Sequence, residues 1–90
     1  MNLLTSMRYL VALNEHRHFA RAAQACHITQ PALSNALKAL EDEFGAVIVR
    51  RGRVFGGLTA EGEQVLVTAL SMLRAEEALR QDLSAAAGQR

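Results

Sequence analysis

Gln30, Ser34, Asn35 and Lys38 recur along "TQPALSNALKALEDEFG" at spacings that place them on one side of a helix. Their chemistry is hydrogen bonding and charge, not bond breaking. Asn and Gln each carry a donor beside an acceptor, the pattern that pairs bidentately with N6 and N7 of adenine. Pro31 and Ala32 share the first turn and can touch a thymine methyl. Lys38 lies a turn deeper and suits a phosphate. Taken alone, the same residues also describe an ordinary solvated helix face.

Other candidate chemistry falls away on spacing. Glu41, Asp42 and Glu43 are adjacent, so on a helix they point apart and form no acid/base pair. His16, His18, Cys26 and His27 lack the CxxC or HxxxH spacing of a closed zinc site. The chain shows no nucleophile–base constellation and no glycine-rich phosphate loop. No metal, no cofactor and no enzyme activity are expected.

The face needs a rigid helix beneath it. Leu33, Leu37, Leu40 and Phe44 recur at i, i+4, i+7 and i+11, an apolar stripe for burial. Thr29 is the expected N-cap, Pro31 fits the first turn, and Gly45 supplies the left-handed stop, so a helix is predicted over 30–44. Upstream, "FARAAQAC" reads as a short helix anchored by Phe19, with Ala22, Ala23 and Cys26 as a small-residue face. Cys26 is therefore expected to be a buried, inert thiol. A connection of about three residues joins the two helices, which is the helix-turn-helix arrangement. A first helix is expected to be capped by Thr5 or Ser6, with Met7, Leu10, Val11 and Asn14 inward.

After Gly45, "AVIVR" is short and β-branched and reads as a strand; "RGRVFGG" is basic and glycine-bearing; Leu58 starts a return strand. A two-stranded hairpin with a basic tip, a wing over 50–57, is the expectation. Arg53 lies nearest the tip and suits an A·T-rich minor groove, which attracts inserted arginine. Arg51 and Arg21 suit backbone phosphates, as does Thr29 through its hydroxyl or amide. Glu15 is an alternative partner for Arg21, and Arg50 is placed to pair with a helix-three acid. Thr59 caps a fourth helix with Glu61 and Glu63 in its first turn. This helix runs from about Ala60 into the eighties. Its first half is apolar nearly all round, so Val65, Leu66, Ala69, Leu70, Met72 and Leu73 are expected to meet the same helix of a second copy.

Bulk properties agree with one small domain. Ninety residues and a 50% hydrophobic content allow a core, and the net charge of +1 is almost neutral. The charge is unevenly spread: residues 1–58 are net positive and 59–90 net negative, so a neutral sum hides a basic face. A single cysteine excludes an internal disulfide, and neither a signal peptide nor a membrane-length apolar run is present. The chain reads as cytoplasmic. Its ending, "SAAAGQR", reads as the start of a linker, so a fragment of a longer protein is expected.

The stretches "YLVALNEHRHFARAAQACHITQPALSNALKALEDEFGAVIVRR" and "GLTAEGEQVL" together resemble the DNA-binding domain of LysR-type transcriptional regulators over about residues 3–75. Carrying the resemblance, in order, are Ala22–Ala23, the run from His27 to Pro31, Leu40–Glu41 with Gly45, and Leu58 to Gly62. Locally, "EHRHFARAA" is similar to the peroxide-sensing branch. The resemblance implies a mainly α fold with a small β-hairpin: a winged helix-turn-helix over 1–60 and a linker helix over 61–90. It implies sequence-specific binding of a pseudo-palindromic double-stranded operator by a homodimer formed through residues 60–86. The base readers would be Gln30, Pro31, Ala32, Ser34 and Asn35. A larger domain that binds a small-molecule effector would normally follow. Departures are Cys26 for leucine, Val49 for phenylalanine or leucine, Thr5 for a phosphate-touching arginine, and Asn35 for the arginine common on the reading face. The last changes what can be read. Outside the resemblance, a winged helix used for protein contact is the competing reading.

Overall fold

A computed structural model describes residues 2–50, 52 and 54–88. Four helices follow one another: α1 (Leu3–His16), α2 (Phe19–Ala25), α3 (Gln30–Phe44) and α4 (Ala60–Gly88). α1 is the hub, packing against α2, α3 and α4, while α2 also packs against α3. Met7, Leu10 and Leu13 of α1, Ala22 and Ala23 of α2, and Leu33, Leu37 and Leu40 of α3 are all buried. Ala22 and Ala23 do here what small residues do: they let two helix backbones approach closely.

α1 begins earlier than expected. Asn2 is its N-cap, its Oδ1 accepting from Thr5 N at 3.1 Å. Ser6 is buried instead of capping, and Val11 and Asn14 are only partly covered.

The connection from α2 to α3 is built without glycine. His27 takes φ +58°, its N–H donates to the Gln24 carbonyl, and Ile28 N–H donates to that of Ala23. These are the two bonds of a Schellman motif, with a histidine in the left-handed position usually given to glycine. Ile28 then packs against the core.

The expected hairpin is reduced to one antiparallel bridge, Val49 to Leu58; no strand is found among the described residues. Two backbone bonds flank it, Arg50 N to Gly57 O and Thr59 N to Ile48 O, both 3.0 Å. Glu41 Oε2 of α3 accepts the amides of Ile48, at 2.7 Å, and Val49, at 3.2 Å, while the Thr59 carbonyl accepts Glu63 N as α4 begins, which ends the pairing on that side.

The Leu58–Gly62 motif joins this segment to α4. Thr59 Oγ1 accepts from Gly62 N at 2.9 Å and donates to the Val47 carbonyl. A Cβ on Gly62 would lie 2.2 Å from the Ile48 carbonyl oxygen, so only glycine lets the helix start this close. α4 then runs about 43 Å at 1.5 Å per residue. Gly62, Leu66 and Ala69 are its buried residues, and everything from Glu77 to Gly88 is exposed. No helix among the described residues is long and apolar enough to cross a membrane.

Candidate nucleic-acid interface

α3 divides cleanly. Leu33, Leu37 and Leu40 are at most 1% exposed, whereas Gln30, Pro31, Ala32, Asn35 and Lys38 are exposed and Ser34 is half-buried. Phe44, expected at the end of the buried stripe, is 47% exposed. Thr29 caps the helix as expected, Oγ1 accepting from Ala32 N at 3.2 Å. The hydroxyl proton is not used in that bond, so Thr29 can still donate outward. No acidic residue occupies the first turn, leaving the positive end of the helix dipole uncancelled where an anion would meet it.

Arg21 is exposed on α2, and its backbone N–H is held by His18 Nδ1 at 3.3 Å; no ion pair with Glu15 forms among the described residues. Arg50 does not seek a helix-three acid. Its Nε donates to the Leu58 carbonyl at 3.3 Å, tying it back to the bridge. Arg51 and Arg53 lie outside the described residues. No group of three or more His, Cys, Asp or Glu converges among the described residues. Cys26, expected to be buried, is half-buried; what burial it has pushes the thiol above the ordinary cysteine range.

Of the expected dimer residues, Leu66 and Ala69 are 8% and 0% exposed, packed into the chain's own core. Val65, Leu70, Met72 and Leu73 are half-buried. Val67, Leu79 and Leu83 are the large apolar side chains that α4 leaves exposed.

The structure also brings in residues that sequence reasoning passed over. Arg17, just past α1, has φ +57°; its Nη1 donates to Asn14 Oδ1 at 3.1 Å, and its guanidinium carbon lies 4.9 Å from the Phe55 ring centroid. Phe55 meets Phe19 edge-to-face, centroids 5.9 Å apart. Phe55 is thereby fastened to the α1–α2 corner. The one available signal was Phe55 itself, a lone aromatic in a basic, glycine-rich stretch.

A helix-turn-helix with an exposed polar recognition face defines a class of DNA-binding regulators. Residues 4–63 match the bacterial regulatory helix-turn-helix proteins of the lysR family, and the chain belongs to that family. It is 46% identical over 84 residues to the SDS degradation transcriptional activation protein of a Pseudomonas species, covering 93% of this chain and 28% of that protein. Among solved structures, full-length OxyR from Pseudomonas aeruginosa, in a variant form, superposes with a TM-score of 0.88 at 39% identity, covering 94% of this chain and 29% of that one. The BenM DBD in complex with catB site 1 DNA gives 0.86 at 32% identity, covering 93% of both chains. The chain thus spans under a third of the full-length relatives and nearly all of an isolated domain.

Proposed function

We propose that this chain is the sequence-reading and pairing part of a cytoplasmic transcription regulator. The observation that carries the reading is α3: a helix locked from below by fully buried leucines, capped at Thr29, and presenting Gln30, Pro31, Ala32, Ser34 and Asn35 outward. Its N-terminal turns enter the major groove, where Gln30 and Asn35 pair with adenine edges and Pro31 and Ala32 meet thymine methyls. Thr29, Lys38, Arg21 and Arg51 hold phosphates, and Arg53 enters the flanking minor groove from a wing over 50–57. The solved BenM DBD complex, similar over almost the whole chain, supports this docking.

Residues 1–60 form the reading unit and 61–90 the linker helix. Two copies pair through α4 on Val65, Leu70, Met72 and Leu73, continued by exposed Leu79 and Leu83. Leu66 and Ala69 are left to the monomer core. Pairing presents two reading helices to a pseudo-palindrome. In the full-length protein a further domain binds a small-molecule effector.

The test is selection from a randomised duplex library, with the winner retitrated at two salt concentrations. An enriched inverted repeat and a steep fall of log K with log salt are expected. Absence of both would leave a winged helix used for protein contact.

A further inference from the structure

Arg17 is built for more than ending a helix. A left-handed backbone is unfavourable for a residue with a Cβ, and such conformations persist where surroundings hold them. Here the surroundings are Asn14 Oδ1 on Nη1 and the Phe55 ring face against the guanidinium. Phe19 in turn holds Phe55 edge-on. Gly57, at φ +93°, lies alongside, where a Cβ would sit in ordinary contact 3.7 Å from Arg17 Nη2.

Despite this fixing, Arg17 remains exposed, and no carboxylate among the described residues pairs with it. Arg8 makes the contrast, its charge answered by Glu76. Arg17 also lines a cleft of about 110 Å³ together with His18, Phe19, Gln30, Val54 and Phe55. That cleft opens between Val54–Phe55 and the first residue of α3, and none of its lining residues is acidic. The groove beside Lys38, toward the other end of α3, differs, since Glu41 and Asp42 line it.

We propose that Arg17 is a preorganised backbone-phosphate clamp, holding the DNA strand that passes between the reading helix and the wing. The proposal rests on the DNA-reading function above. A guanidinium fixed by stacking loses little rotamer freedom on binding and keeps N–H donors free for phosphate oxygens. Because a phosphate carries no sequence, the clamp strengthens binding to every duplex alike.

The experiment measures affinity for the selected duplex and a scrambled one across a salt series, with wild type, Arg17→Gly and Arg17→Lys. Glycine suits the left-handed backbone, so Arg17→Gly removes the side chain while relieving strain, and circular dichroism checks that the helices persist. Arg17→Gly is expected to weaken both duplexes by the same factor and to make the slope of log K on log salt shallower by about 0.9. Arg17→Lys should keep the wild-type slope. An unchanged slope in Arg17→Gly overturns the clamp and leaves Arg17 a staple between α1 and the wing. If Arg17→Gly does not fold, the Arg17 Nε–Hε resonance of 15N-labelled wild type is followed as either duplex is added. A shift supports the clamp and its absence overturns it. A wild type with no salt dependence overturns the DNA-reading function itself, a result distinct from failure of the clamp.

Discussion

α3 and α4 solve opposite problems with similar residues. α3 buries one stripe and turns outward a face of short polar side chains. α4 buries Gly62, Leu66 and Ala69 yet turns Val67, Leu79 and Leu83 to solvent. A polar face held by a rigid stripe suits readout, because donors and acceptors must be placed to within a fraction of an ångström to discriminate. An apolar face left uncovered suits association, because burial is non-directional and tolerates adjustment. The difference separates a face fit for readout from one fit for association along one short chain.

Substitutions can break the two apart. Leu37→Ala removes fully buried atoms from beneath the reading face and should destabilise the fold by about 2–5 kcal/mol, seen as a lower midpoint in urea. Leu79→Asp should leave the monomer within about 0.5 kcal/mol of wild type. It should weaken dimerisation by about 1.5–3 kcal/mol per copy, read by sedimentation. Asn35→Ala should leave stability alike and relax preference at one base position by about 1–3 kcal/mol, read by reselection; an unchanged preference would remove Asn35 from the reading face. Thr29→Ala removes a cap and should cost about 1 kcal/mol of stability, with some phosphate affinity.

Much of this was legible in the residues. α3 runs over 30–44 as expected because Thr29, Pro31 and Gly45 each act locally, within a turn of the helix end they define. The start of α1 was ambiguous for the same reason: Asn2, Thr5 and Ser6 are all competent caps, and only the core decides that Ser6 turns inward. Of the expected hairpin the described residues show one bridge, because β-branched residues announce extended backbone, not who receives its hydrogen bonds. Glu41, a distant carboxylate, takes two of them. Periodicity could not assign Leu66 and Ala69, since a helix apolar all round does not say which side its own domain covers. Arg17 left no local signal, its meaning arising only when Phe55 arrives from 38 residues further along.

The ion pair from Arg8 to Glu76, with Arg80 Nη2 3.8 Å from the same carboxylate, is the last tie of α4 to the body. Mechanically it is a fulcrum. The helix beyond it extends roughly 18 Å, so a pivot of about 10° there swings the far end by about 3 Å. A rotation that small displaces the far end of α4 while Leu66 and Ala69 stay packed in the body.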